Sequence, residues 1–142
     1  MKLIQAKFLN FRILKDVELN FSIDKDKPLT VIRAANESGK TTILSALQWG
    51  LFGDAALPNR GKWRLSPIDC KPNAVSEISS EINFSIQNKV GREDEFKLIR
   101  IRKEKIKGNE VSTVSSSVSL FKLTGTGADE ISHPGAWLQP HL

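Results

Sequence analysis

Apolar and polar residues alternate over several stretches of this chain, which is the pattern of β-strands with one buried face. The stretches predicted as strands are 3–11, 17–23, 77–86, 95–107 and 111–123. Val17, Leu19 and Phe21 share one face of the second stretch. The last two stretches are separated by Gly108 and Asn109, both of which tolerate positive φ, so a hairpin is expected there.

Stretch 40–52 changes to a helical period. The predicted apolar face consists of Leu44, Leu47 and Leu51, with Ile43 and Ala46 beside them. Spacings of three and four residues place these side chains on one side of a helix. Gly53 follows directly and is expected to cap the helix C-terminus with a left-handed backbone.

A short apolar run at 29–32 precedes this helix and is predicted as a buried strand. Between the two lies the second half of a phosphate-binding P-loop, in which Gly39, Lys40 and Thr41 supply the Gly-Lys-Ser/Thr pattern. Ala34 stands where the first glycine of the motif is usual, and it is still small enough to keep the backbone close to a phosphate. The sequence therefore predicts a strand, loop and helix that bind a nucleotide.

The residue types of this loop suit phosphate chemistry. Backbone N–H groups of 37–42 are expected to form an anion nest at the helix N-terminus. Lys40 is expected at the β- and γ-phosphates, Thr41 on Mg²⁺ and Thr42 near the α-phosphate. The alternative is a glycine turn that joins a strand to a helix and binds nothing.

Together these elements predict an α/β fold, with a mixed β-sheet that carries the P-loop strand, loop and helix and an antiparallel hairpin region. The 142 residues are expected to form one domain. Its predicted parts are a nucleotide-binding core at 1–53, a basic loop at 54–76, antiparallel strands at 77–124 and a tail at 125–142, in which order should weaken.

Composition adds little to this interpretation. The net charge of +5 and the pI near 9.5 fit a nucleic-acid partner but are also common in proteins that bind only nucleotides. No apolar run is long enough to span a bilayer, and nothing resembles a signal peptide. Cys70 is the single cysteine and cannot form an internal disulfide, so a cytoplasmic protein is expected.

Three segments resemble a known family. They are Asn10-Phe11-Arg12, Asn36-Glu37-Ser38-Gly39-Lys40-Thr41-Thr42 and Trp49-Gly50-Leu51-Phe52-Gly53. In this order they resemble the N-terminal lobe of the ABC-type P-loop ATPases of the SMC, RecF, RecN and SbcC group. The similarity is greatest to SbcC-like and DndD-like coiled-coil ATPases of DNA repair and phage defence.

The resemblance implies a set of site residues and partners. The implied ATP-binding residues are Arg12, Ala35, Asn36, Glu37, Ser38, Gly39, Lys40, Thr41 and Thr42, with Thr41 also on Mg²⁺. The implied partners are ATP, a C-terminal ATPase lobe of the same or a partner chain, DNA, a nuclease or defence-effector subunit, and a second copy in an ATP-dependent dimer. No membrane partner is implied.

Two family motifs have no counterpart here: an apolar run that ends in Asp-Glu, and a serine-rich signature. The chain therefore resembles an N-terminal segment whose C-terminal lobe would follow a coiled coil, and hydrolysis is expected to need that lobe. One alternative is an interaction or scaffold module that keeps the shape of a P-loop. Another is a small P-loop phosphotransferase.

Two basic regions are candidates for DNA contact. They are Lys62, Trp63 and Arg64 in the loop, and Arg100, Arg102, Lys103 and Lys105 on one hairpin arm. The tryptophan would stack on a base, and the strand would present a basic stripe to a duplex backbone. The alternatives are a tryptophan that anchors its loop to the protein body and a charged edge that discourages aggregation.

Overall fold

Six antiparallel strands form one sheet in the part of the chain that the computed structural model describes, which is residues 1–33, 35, 39–57, 63–108 and 110–139. The strands are β1 (Lys2–Phe11), β2 (Leu14–Asn20), β3 (Val75–Gln87), β4 (Glu93–Lys107), β5 (Glu110–Thr124) and β6 (Gly127–Glu130). Their order across the sheet is β2-β1-β3-β4-β5-β6. The α/β class is confirmed by this sheet and its helices. The predicted mixed sheet is corrected, because every strand pairing in the described residues is antiparallel.

Helix α1 (Lys40–Phe52) covers one face of the sheet and contacts β1, β3 and β4. Its predicted bounds are confirmed, and Gly53 ends it with a φ of 73° and an N–H bond to the carbonyl of Trp49. The predicted apolar face is confirmed for Ala46 and Leu51, which are buried, and for Ile43 and Leu47, which pack against the core. It is wrong for Leu44, which is 57 % exposed, and it omitted the buried Trp49 and Gly50.

The close approach of α1 to the sheet explains why Gly50 belongs to the buried face. A Cβ atom at Gly50 would lie 2.3 Å from Oγ of Ser80 and 2.6 Å from Cδ1 of Ile82. A helix that lies this near to a sheet needs small residues at the contact, so Ala46 and Gly50 face β3 while the larger Leu44 turns outward.

The core lies between α1 and the covered face of the sheet. Its largest fully buried side chains include Phe8, Phe11, Trp49, Phe84, Leu65, Ile78, Ile82 and Leu98. The rings of Phe11 and Trp49 are 5.7 Å apart between centroids. The alternation in stretch 77–86 predicts that Ile78, Ile82 and Phe84 share the inward face of β3, and the burial of all three confirms it.

The hairpin of β4 and β5 is confirmed, with Lys107 opposite Glu110 and a φ of 58° at Gly108. Asn109 lies outside the described residues. The tail is more ordered than predicted, because β6 pairs with β5 and a short helix, α2 (Pro134–Leu138), places Trp137 against Phe96 at 4.7 Å. Large apolar side chains near the end of the chain supply this docking.

The segment before the P-loop differs most from its prediction. Residues 29–33 have no regular secondary structure, and Leu29, Val31 and Ile32 are 76 %, 63 % and 40 % exposed. A strand needs a neighbour for its N–H and C=O groups, and among the described residues none pairs with this segment. The predicted buried strand is therefore absent, and its apolar side chains face outward.

Candidate functional site

The N-terminus of α1 is the centre of the candidate site. Gly39 precedes the helix with a φ of 100°, a left-handed value that favours glycine. The first turn carries no acidic side chain that would neutralise the positive end of the helix dipole. This helix start is therefore suited to an anionic group such as a phosphate.

Lys40 folds back across the loop that precedes α1. Its Nζ donates a hydrogen bond of 2.8 Å to the carbonyl oxygen of Ala35. Lys40 and Thr41 are exposed and Thr42 is half-buried, so the polar groups of the first turn can reach a ligand. An ammonium group that bonds one carbonyl can exchange that contact for phosphate oxygens, which are charged acceptors and form stronger hydrogen bonds.

The turn between β1 and β2 meets the same helix start. A Cβ atom at Gly39 would lie 2.9 Å from Cδ1 of Ile13 and 3.3 Å from Cδ2 of Leu14. Arg12 is the first residue of this two-residue turn, because Phe11 pairs with Leu14. The fold thus brings the turn that carries Arg12 against Gly39, although 27 positions separate Arg12 from Gly39 in the sequence.

Arg12 is held through its backbone and its side chain. Its φ is 56°, and its N–H donates to the carbonyl of Leu65 at 2.7 Å. Its guanidinium carbon lies 4.4 Å from the ring centroid of Trp63. Trp63 is half-buried and packs against the core, which agrees with the interpretation that it anchors its loop. Arg12 occupies one face of the indole, so that face is not open to a nucleic-acid base.

Arg64 contacts its own loop. Its Nε lies 3.3 Å from the carbonyl and 3.2 Å from the hydroxyl oxygen of Ser66, and one terminal nitrogen donates to the carbonyl of Pro67. The side chain is half-buried. These contacts favour a role in the shape of the loop.

A buried ion pair lies beneath this loop. Arg102 is 3 % exposed and Glu104 fully buried, and Nε of Arg102 is 3.1 Å from Oε1 of Glu104. Arg102 also donates to Oδ1 of Asp54 at 3.0 Å, the oxygen that accepts the indole N–H of Trp49 at 3.0 Å. The pair thereby joins β4 to the C-terminal end of α1.

Glu104 accepts two backbone N–H bonds from the loop. Leu65 donates at 3.2 Å to both carboxylate oxygens, and Ser66 donates to Oε2 at 2.9 Å. A carboxylate buried without such donors would carry a large desolvation cost. Glu104 therefore fixes residues 65 and 66, whose neighbour Trp63 contacts Arg12.

Arg100 and Arg102 share one face of β4, as their spacing predicts, but this is the face that α1 covers. Nε of Arg100 donates to the carbonyl of Gly50 at 3.2 Å, and burial lowers the pKa of its guanidinium below the ordinary value. The prediction of a solvent-facing stripe is corrected for these two residues. Alternation shows which side chains share a face of the strand but not which face a helix covers, and here α1 covers the face that carries the arginines.

Lys103 and Lys105 lie on the opposite, open face of the sheet. Nζ of Lys103 is 3.1 Å from Oε2 of Glu77, and the neighbouring Lys97 is 2.7 Å from Oε1 of Glu81. These pairs partly neutralise the basic charge of β4. Both lysines of the prediction remain accessible from solvent.

Some predicted site residues lie outside the described residues. They are Asn36, Glu37, Ser38 and Lys62. The structure packs the turn that carries Arg12 against Gly39 and joins Lys40 to Ala35, and it places Thr41 and Thr42 on the next positions of α1.

Sequence reasoning missed Glu104 and Asp54. A signal for Glu104 was present, because the face of β4 that holds Arg102 and Glu104 also holds Leu98 and Ile106. Opposite charges two residues apart on an apolar face indicate a buried pair. Asp54 gave no comparable signal, since its partner lies 48 positions away.

One family model matches most of the chain. The family model described as an AAA domain matches residues 7–133, a span that contains the P-loop, the loop with Trp63 and all of β3 to β6. The chain therefore belongs to this AAA domain family, which is found in SMC- and SbcC-like ATPases. It is an ATPase-type module of the SMC-like family. No curated protein matches the chain.

Within the described residues, no helix is long and apolar enough to cross a membrane.

Proposed function

We propose that this chain is the ATP-binding lobe of an SMC-like ATPase that acts on DNA, and that hydrolysis needs a C-terminal lobe. The observation that carries the nucleotide site is the meeting of Gly39, Lys40 and the Arg12 turn at the start of α1. The helix start that carries Lys40 and the turn that carries Arg12 are then neighbours, and their two cationic side chains are of the kind that binds a triphosphate. Membership in the AAA domain family supports the same assignment.

The residues present also fit Mg²⁺. Thr41 is exposed in the first turn of α1, beside Lys40, and its hydroxyl is an oxygen ligand of the kind that Mg²⁺ accepts together with phosphate oxygens. When bound, the ion would neutralise part of the negative charge of the phosphates. Lys40 and Arg12 supply the remaining positive charge.

The exposed segment 29–33 supports the need for a second lobe. Leu29, Val31 and Ile32 form an apolar run that leads into the P-loop and lies open to solvent. Soluble domains rarely leave such a run uncovered unless a partner binds it. A C-terminal lobe that supplies neighbouring strands would bury these side chains, and this is the partner that the family resemblance implies.

Titration of the chain with Mg²⁺-ATP in a calorimeter tests the nucleotide assignment. We expect saturable binding by the wild type and a loss of at least tenfold in affinity for Lys40→Ala, because the ammonium is the main point charge on the phosphates. Lys25→Ala, which removes an exposed lysine in the turn before the P-loop, is the matched control and should bind as the wild type does. Absence of binding by the wild type would favour a scaffold module that only keeps the shape of a P-loop.

The DNA assignment has its own test. We expect weak binding to a duplex, independent of sequence and steeply sensitive to salt, because contacts to phosphates release counterions. Lys103→Glu with Lys105→Glu should weaken binding and reduce the salt slope by about 2, which is the number of phosphate contacts removed. Fluorescence anisotropy over a range of salt concentrations measures both effects.

The control for this experiment carries the same change of charge elsewhere. Lys25→Glu with Lys27→Glu alters the turn before the P-loop and leaves β4 intact. If this control loses as much affinity as the β4 variant, the effect comes from net charge, and the open face of the sheet is not the DNA site.

A further inference from the structure

Arg12 and Trp63 form a contact that the proposed nucleotide site does not by itself explain. The guanidinium carbon is 4.4 Å from the indole centroid, while the backbone N–H of Arg12 donates to the carbonyl of Leu65. The loop that holds Trp63 thus contacts Arg12 twice, once at the backbone N–H and once at the guanidinium group.

This arrangement leaves the hydrogen-bonding edge of the guanidinium available. A guanidinium is planar and carries five N–H donors in its plane, so an indole that covers its face does not consume them. Arg12 is exposed, and among the described residues no carboxylate lies within ion-pair distance of it. The donors are therefore free to meet an anion, and the stack limits the directions in which they point.

The loop is itself fixed from below. Glu104 accepts the N–H groups of Leu65 and Ser66, and Arg102 connects Glu104 to Asp54 just beyond α1. The same helix begins at Gly39, against which Ile13 of the Arg12 turn packs. One connected set of contacts therefore relates the position of Arg12 to both ends of α1.

From this geometry we infer that Trp63 is a positioning residue of the nucleotide site, whose indole holds the guanidinium of Arg12 in the orientation that binds the phosphates of ATP. The inference rests on the proposed function. It differs from a role of Trp63 in stacking on a DNA base or in anchoring the loop alone. An arginine that is ordered before binding loses less side-chain freedom when the ligand arrives, so the stack should raise affinity through Arg12.

A double-mutant cycle on the chain tests this coupling. Mg²⁺-ATP affinity is measured by calorimetry for the wild type, Trp63→Leu, Arg12→Ala and the combination. We expect Trp63→Leu to weaken ATP binding about three- to tenfold when Arg12 is present and to have no effect when Arg12 is replaced, because the benefit passes through the guanidinium. Trp63→Phe keeps an aromatic face and should restore most of the loss.

Three results would overturn the inference. One is an equal loss of affinity from Trp63→Leu with and without Arg12, which would place the indole against the ligand or make it an anchor only. The second is Trp63→Phe behaving as Trp63→Leu does. The third is unchanged affinity in Trp63→Leu while Lys40→Ala still loses binding, which would leave the nucleotide function intact.

Thermal unfolding shows whether each variant is folded at the temperature of the titration, so that a loss of binding can be separated from a loss of structure. Trp63→Leu retains an apolar side chain, and Trp63→Phe provides a second variant if the first does not fold. If the wild type itself does not bind Mg²⁺-ATP, the proposed function fails, and the role of Trp63 fails with it.

Discussion

Replacing Glu104 by glutamine should lower the free energy of unfolding by about 3–5 kcal/mol, the usual cost of removing one partner from a buried ion pair. Glu104 is fully buried, and its carboxylate balances Arg102 while it accepts the N–H groups of Leu65 and Ser66. The neutral amide leaves Arg102 as a buried charge with less compensation, and its NH₂ group cannot accept a backbone N–H. Because small domains are stable by only about 5–15 kcal/mol, this change should be easily seen in urea denaturation.

Glu77→Gln is the matched control for this prediction. Glu77 pairs with Lys103 on the open face of the same sheet, and both side chains are nearly half exposed. Its replacement should cost less than about 1 kcal/mol, because an exposed ion pair contributes little. A second test replaces the pair together: Arg102→Met with Glu104→Leu should recover part of the loss, since the charge left unpaired, on Asp54, is 45 % exposed rather than buried. Equal midpoints for Glu104→Gln and Glu77→Gln would show that the buried pair does not stabilise the fold.

Local sequence patterns predicted where the helix and the hairpin turn lie better than they predicted which side chains are buried. The bounds of α1 and the turn at Gly108 follow from period and from glycine conformation, both of which are properties of neighbouring residues. The face of α1 depends instead on how near the sheet lies. The search for apolar residues therefore included Leu44, which is exposed, and missed Gly50, which lies against β3.

The arginines of β4 show a second limit of the same kind. Period two correctly places Arg100 and Arg102 together, but which face a helix covers is decided by the whole sheet. Arginine is usually exposed, so its presence suggested an open face, and the buried partners Glu104 and Asp54 reverse that expectation. Arg100 and Arg102 thus contact α1 and the residues around it, and only Lys103 and Lys105 of the predicted stripe remain on the open face.

Some residues of the candidate site could be recognised from the sequence and others could not. Gly39, Lys40 and Thr41 could be recognised from the P-loop motif, because contiguous residues perform the chemistry. Resemblance to a family indicated Arg12, and the structure supplies a reason in the packing of Ile13 against Gly39. Trp63 could not be connected to Arg12 from the sequence, since 51 positions separate them and both residues have other common uses.

Phosphate release from ATP by this chain alone should not exceed that of Lys40→Ala, whereas addition of a C-terminal ATPase lobe should raise Lys40-dependent turnover by about 10³-fold or more. Phosphoryl transfer needs an oriented water and charge stabilisation on the far side of the γ-phosphate, and contacts of this kind contribute about 10³ to 10⁵ in rate. The residues grouped at the start of α1 are Arg12, Ile13, Gly39 and Lys40. These four residues suit phosphate binding, and none of them carries a carboxylate that could orient water.

Two other acidic side chains of the chain lie away from the start of α1 and do not supply this carboxylate. Glu77 and Glu81 face away from α1 and pair with Lys103 and Lys97. Glu37 lies in the loop before Gly39, outside the described residues, so Glu37→Gln completes the experiment. The measurement is steady-state phosphate release at saturating Mg²⁺-ATP, first for the chain alone and then with the second lobe. Turnover by the chain alone that Lys40→Ala abolishes would contradict the need for a second lobe. If Glu37→Gln also abolishes this turnover, Glu37 is the carboxylate that orients water.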